Sequence, residues 1–362
     1  MPNNIIPVPY QAGKTLQLQV LQNCCSLPFS QSVTATISKT FDITMSPVMD
    51  VIINTRSGSR FRAVLKLYDR RFGIDLRRIR NRIMPLITAD EAEFQSFVRR
   101  GKMGPFISEL EEEKKTEILP RSPSHFHDDT PEGNAKYEAA LWQSCVEYFD
   151  CETEAYARLR DLQGRSIPRM YAHVRLVLGN SDVPRDLLQS PMARYFEIKG
   201  VLLELIHGYN LSDLPTSPLA PSDPKKWPGI VQSAVDFAHE INRRGVLMGD
   251  CAPRNVVVDK RSQTPFIIDL AQCGFKDKMI EAWKEWDEDE DWDPDVDYCE
   301  QMITRDNPGA IGAVMRMRLQ RIKGMELDIN YPNCMKIIDD IKRCKAGRAT
   351  RADCTEPGVP EQ

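Results

Sequence analysis

The stretch from Gly245 to Ala271, GVLMGDCAPRNVVVDKRSQTPFIIDLA, holds the residues whose types and spacing best suit chemistry. Asp250 and Asn255 lie five positions apart in a short polar loop between apolar runs, and Asp269 closes a third apolar run fourteen positions after Asn255. A loop framed in this way aims three oxygen ligands into one cleft. Hard cations such as magnesium prefer carboxylate, amide and phosphate oxygens, so Asn255 and Asp269 held together suit a metal that bridges nucleotide phosphates. Asp250 is then available to orient an attacking hydroxyl. Each residue also has a plainer use: Asp250 and Asn255 cap loops readily, and Asp269 at the end of a buried strand is served equally by a structural ion pair.

Such a loop needs strands and helices to hold it, and the chain supplies them in order. Residues 1–32, with Pro2, Pro7, Pro9 and Pro28, show no sustained period and are expected to form an arm. From Val33 to Phe72 short β-branched and aromatic runs, broken at Ser46-Pro47 and at Ser57-Gly58-Ser59, predict an antiparallel sheet of about three strands. A charged, helix-prone segment and then the loop LPRSPSHFHDDTPEGN form an insertion at about 73–134. Helical spacing returns from Ala135 to Leu162, with Tyr156, Leu159 and Leu162 on one side. Strand-like runs follow around Ile167–Val177 and Tyr195–Ile206, and Val231, Ala234, Val235, Ala238 and Ile241 mark an amphipathic helix that ends before Gly245. Strands first and helices afterwards predict an α+β protein of two lobes, 33–206 and 207–345, with a flexible tail over 346–362.

Composition excludes several classes. The 362 residues carry 48 basic and 52 acidic side chains, a net charge of −4, which argues against a basic nucleic-acid-binding domain. No apolar run approaches the roughly 20 residues of a membrane span, and the start lacks the pattern of a secretory leader. A soluble intracellular protein is expected, cytoplasmic or nuclear. Its ten cysteines show no C-x-x-C pair and are read as reduced thiols.

D-x-x-x-x-N followed by an Asp at the end of an apolar strand resembles the catalytic loop and metal-binding segment of the protein-kinase-like superfamily. Upstream, Ala63-Val64-Leu65-Lys66 resembles the strand whose lysine contacts the α- and β-phosphates of ATP. The run VLLELIHGYNLSDL resembles the interlobe hinge, with Leu203 at the gatekeeper place and backbone groups of Glu204 and Ile206 facing adenine. The helical glutamate that pairs with Lys66 is Glu152 or Glu154; Glu152 has Tyr156 and Leu159 at the expected spacing, and Glu154 stays open. LKLYDRRF, the LQG-x-x-IP run and GD-x-x-x-RN together resemble divergent kinase-like proteins abundant in fungi.

The resemblance implies a two-lobed fold, a small antiparallel-sheet lobe followed by a mainly helical one, with ATP and magnesium as cofactors. It further implies transfer of the γ-phosphate to a hydroxyl acceptor, a protein serine or threonine or a small alcohol. Lys66 and its glutamate would bind phosphates, Asp250 would orient the acceptor, and Asn255 with Asp269 would hold the metal. Departures are equally specific. The first hairpin, FDITMSPVMDV, contains no glycine, so phosphate contacts fall to Thr44, Met45 and Ser46. Met248 stands two positions before Asp250 where the family has His, Asp269-Leu270-Ala271 replaces Asp-Phe-Gly, and no A-P-E follows. These departures open a second expectation, a pseudokinase that binds nucleotide or protein without transfer. His125–Asp129 and the acidic run WDEDEDWDPDVD are read as solvated surface.

Overall fold

Alternation of apolar and polar residues builds the first part of the chain. The computed structural model describes residues 4–26, 29–54, 60–128, 130–179, 182–284 and 292–352. In it β1 (Thr15–Asn23), β2 (Ser32–Thr40), β3 (Val48–Asn54) and β4 (Arg60–Leu67) pair antiparallel in sequence order. The short hairpin β5 (Arg78–Ile79) and β6 (Arg82–Ile83) follows, then α1 (Thr88–Arg99), α2 (Met103–Thr116) and the long α3 (Pro131–Arg158). β7 (Met170–Leu176), the single turn α4 (Arg185–Leu188) and β8 (Lys199–Glu204) complete this part. β8 pairs with both β4 and β7, and β7 pairs with β1, so six strands close into a barrel.

The three strands expected over Val33–Phe72 are β2, β3 and β4, and the strand-like runs expected around Ile167–Val177 and Tyr195–Ile206 hold β7 and β8. One expectation changes here: the arm 1–32 contributes the sixth strand. In β1, TLQLQVLQN, Leu16, Leu18 and Val20 alternate with glutamines, but the register shifts between Val20 and Gln22 and leaves Leu21 exposed, which breaks the pattern after six residues. Upstream of it the chain is also docked, since Ile6 N–H donates to the Leu86 carbonyl and Tyr10 is buried.

The barrel core is made of Leu18, Ile37, Met49, Val51, Ile53 and their inward neighbours. A second apolar cluster lies under the segment read as an insertion. Phe94 and Phe97 of α1, Met103 and Phe106 of α2 and Ala135, Ala139 and Leu141 of α3 form it, so α1 and α2 are integral to this unit. The loop before α3 is partly anchored as well: Phe126 is buried with its ring 5.1 Å from that of Phe106, and α3 begins at Pro131. Asp129 lies outside the described residues.

The remaining elements are β9 (Gly208–Asn210), α5 (Trp227–Arg243), β10 (Val246–Met248), β11 (Val256–Asp259), β12 (Pro265–Ile267), β13 (Cys273–Phe275), α6 (Lys276–Lys284), α7 (Pro294–Arg305), α8 (Asn307–Lys323) and α9 (Cys334–Ala352). α5 buries the five positions that the helical spacing selects, together with Ile230. β9, β11 and β12 form one small antiparallel sheet, and β10 pairs with β13. α9 carries the chain in helical form to Ala352, into the segment expected as a tail. Residues 286–291 of the acidic run lie outside the described residues.

The chain divides into two units, Met1–Glu154 with Pro168–Leu205, and Ala155–Ile167 with Ile206–Gln362. The chain thus enters the second unit twice, at Ala155 and again at Ile206. Strands dominate the centre of the first unit and helices the second, an α+β architecture. Among the described residues no helix is long and apolar enough to cross a membrane.

Candidate active site

In the first unit, alternation along β4 decides where Lys66 goes. Ala63, Leu65 and Leu67 enter the barrel core with no exposure, so the intervening Lys66 projects from the opposite face. α3 meets it there. Glu152 is fully buried, with its Oε2 2.9 Å from Lys66 Nζ, and the lysine side chain is 8% exposed. Tyr68, on the same side of the chain as Lys66, donates its hydroxyl to Glu152 Oε2, and its ring lies 5.5 Å from Lys66 Nζ. A buried carboxylate is tolerated only with partners of this kind. Of the two glutamates left open by the sequence, Glu152 is the one brought to Lys66.

The loop that joins β2 to β3 is built differently from an open phosphate cradle. Ser46 is buried, and the Thr44 carbonyl accepts the Asp75 N–H at 3.0 Å. Gly73 lies so close to this loop that a Cβ there would stand 2.4 Å from the Met45 carbonyl oxygen. At the end of β8, Leu203 is buried opposite Val64. The Glu204 N–H donates to the Arg169 carbonyl at 2.8 Å, and the Glu204 carboxylate takes both the Arg169 N–H and its guanidinium. Ile206 opens the second unit.

In the second unit, the loop between β10 and β11 is held at both ends. Gly249 N–H donates to the Gln272 carbonyl at 2.6 Å, and a Cβ at Gly249 would stand 2.9 Å from that oxygen. Asn307, buried at the start of α8, receives the Met248 N–H on Oδ1 at 3.2 Å and donates Nδ2 to the Met248 carbonyl at 2.9 Å. Asn210 donates to the Arg254 carbonyl. Within the loop, Asn255 Nδ2 donates to the Asp250 carbonyl at 2.8 Å and to Asp250 Oδ2 at 3.1 Å, while Arg254 pairs with Asp250 Oδ1. Both amide protons of Asn255 are thereby used, which turns its oxygen, the atom a hard cation takes, away from Asp250.

Asp269 comes to the same end of the hairpin. β11 and β12 pair from Val256↔Ile267 onward, and Ile268 N–H donates to the Asn255 carbonyl at 2.9 Å, which sets Asn255 opposite Ile268, one residue before Asp269. Asp269 adopts φ +64°, the left-handed region that non-glycine residues rarely enter. Leu270 is fully buried. Beside Asp250, burial pushes the Cys251 thiol up to about 12, with the negative charges of Asp250 and Asp306 acting in the same direction, so it stays protonated.

The sequence gives no notice of Tyr68, Asn210 or Asn307 as supports. For Asn307 a local signal exists: Asp306, in the left-handed region, caps α8 by accepting the Gly309 N–H, with Pro308 in the first turn, so the helix starts at Asn307. Of the other histidine-rich candidates, His125 Nδ1 accepts the Ser122 N–H at 3.0 Å and the His127 ring packs against Tyr137 at 5.4 Å.

No protein-family model matches the chain, and no curated protein matches it. Among solved structures it is similar to the PknI kinase domain of Mycobacterium tuberculosis in two double-mutant forms. One is 12% identical over 70% of this chain and 64% of that one with a TM-score of 0.30, and the other 11% identical over 80% and 81% with a TM-score of 0.34. It is also similar to vaccinia related kinase 3, 12% identical over 71% of this chain and 54% of that one with a TM-score of 0.27. The chain thus spans less than two thirds of the first and the third of these.

Proposed function

We propose that the chain is a protein-kinase-like phosphotransferase of a divergent kind, which uses ATP with magnesium and phosphorylates a hydroxyl acceptor. The observation that carries this reading is the hairpin end of the second unit, where Asn255 fixes the Asp250 carboxylate and lies opposite Ile268, the residue before a left-handed Asp269. The donor set fits a hard cation: one amide oxygen turned outward and one carboxylate. Magnesium bound there would neutralise phosphate charge. Lys66, kept in place by Glu152 and Tyr68, would contact the α- and β-phosphates. Asp250 would accept the hydroxyl proton, with Arg254 damping its negative charge until an acceptor arrives. Leu203, the Glu204 carbonyl and the Ile206 N–H would receive the adenine, and Ser46 would be the loop residue nearest the phosphates.

The test is thermal unfolding of the whole chain with magnesium and ATP together and with each alone, in wild type and Asp269→Ala, followed by phosphate transfer to a panel of proteins and small alcohols. Stabilisation that needs both ligands and vanishes in the variant is expected. Asp250→Asn should keep that stabilisation while turnover falls about 10²- to 10⁴-fold. Full turnover by Asp269→Ala would sink the metal assignment. A pseudokinase reading is favoured by one observation, a glycine-free loop whose Ser46 is buried; nucleotide stabilisation without transfer to any acceptor would support it.

A further inference from the structure

The second unit contains a cavity of about 640 Å³ that none of the phosphotransfer residues lines. Clefts of about 300–1,000 Å³ hold small organic ligands. Its wall is formed by the turn after α3, one side of α5 and the β11–β12 hairpin. Leu162, Phe237 and Phe266 supply apolar surface, and Phe266 and Leu162 belong to the buried interior.

Ser166 is the unusual member of this wall. It is 1% exposed, and its buried hydroxyl has no hydrogen-bond partner among the described residues, although its carbonyl is satisfied by the Ile267 N–H at 2.8 Å. Buried hydroxyls are almost always bonded, so an unmet one beside open space points to a partner that occupies that space. The charges around it cancel. Arg165 and Arg244 line it together with Asp236 and Glu240, two charges of each sign; Arg244 is held by Glu240 and Asp161, and Asp236 accepts the Gln232 amide. The lining thus carries no excess of either charge to select an ion, and its apolar surface favours an uncharged ligand.

We propose that this cavity binds an uncharged aromatic molecule that carries one hydrogen-bonding group, of the phenol or benzamide class, with the ring against Phe237 and Phe266 and the polar group on Ser166. The site is independent of the phosphotransferase reading, and its test needs neither nucleotide nor turnover.

Phenol, toluene and benzoate are titrated into the full chain and followed by saturation-transfer NMR, in wild type, Ser166→Ala and Phe237→Leu. Phenol should bind saturably and more tightly than benzoate. Ser166→Ala should weaken phenol about fivefold and leave toluene unchanged, since only phenol uses the hydroxyl. Phe237→Leu should weaken phenol and toluene alike. Thermal unfolding shows that the Ser166→Ala chain is folded, and its midpoint should not fall, because the substitution removes a buried group that has no partner. Phenol binding that is absent, or equal in wild type and Ser166→Ala, would overturn the proposal.

Discussion

Asn307 has an amide with one donor face and one acceptor face, and Met248 offers one N–H and one carbonyl to match them. The pair is buried, so neither backbone group has water as an alternative. Asn307→Leu preserves volume and removes both bonds, and the expected loss is about 2–4 kcal/mol of stability. Chemical denaturation measures it; a change under 1 kcal/mol, within the range of a surface substitution, would show that the clamp is not structural. The Asp250 loop should loosen with it, since Met248 is two residues away. This residue also marks what could be read in advance. Asp250, Asn255 and Asp269 were legible because their chemistry depends on types and spacing inside one local segment. Asn307 acts on Met248 from another element, and nothing in its own neighbourhood declares that target.

At the scale of the element, α3 is a helix with two buried carboxylates on one stripe. Glu138, Leu141, Cys145, Phe149, Glu152 and Tyr156 follow one another at steps of three and four. Glu152 meets Lys66, and Glu138 meets Arg70 and Arg77, the latter at 2.5 Å. Burial alone would raise the Glu138 pKa, but the charges of Arg77 and then Arg70 outweigh it and hold the carboxyl below its ordinary 4.5. A folded pKa lowered in this way adds stability that is present above the unfolded value of 4.5 and is lost as pH falls below it. Asp69, held down by Arg71 against its own burial, acts in the same direction from 3.8. Glu138→Gln should therefore cost about 3–5 kcal/mol at neutral pH, because two buried guanidinium groups lose their anion, and should flatten the acid limb of the stability curve. Urea melts from pH 3 to 7 decide it; an unchanged acid limb in the variant would place the titration elsewhere.

The end of the α3 stripe is visible as a period, with Glu152 singled out by its spacing to Tyr156 and Leu159, but the inward place of Glu138 is not, because its partners Arg70 and Arg77 lie in a distant segment. β1 was hidden for the opposite reason: its alternation is sound over six residues and the bulge after Val20 then reverses the phase. α1 and α2 were visible as helices, while their share in a common core with α3 depends on contacts that no local pattern encodes.

At the scale of the whole molecule, the two units are threaded through one another in sequence. The chain leaves the first unit at Glu154, spends Ala155–Ile167 in the second and returns for β7 and β8. β2, β3 and β4 meet their neighbours through short connections, whereas Leu18 of β1 waits for Leu176 of β7. Contacts between such distant positions form late, because the loop entropy must be met before any pairing energy returns. Pulse-labelled hydrogen exchange during refolding should protect the β2–β3–β4 amides before those joining β1 to β7; simultaneous protection would contradict this order.

The closed ring also sets a schedule for biosynthesis. Until the ribosome has released the segment through Glu204, β1 and β4 each present an unpaired strand edge, and the barrel has no means of hiding them. A nascent chain paused before β7 would thus carry two sticky borders at once, and codon choice or chaperone capture over 155–204 would govern how much of it survives to close.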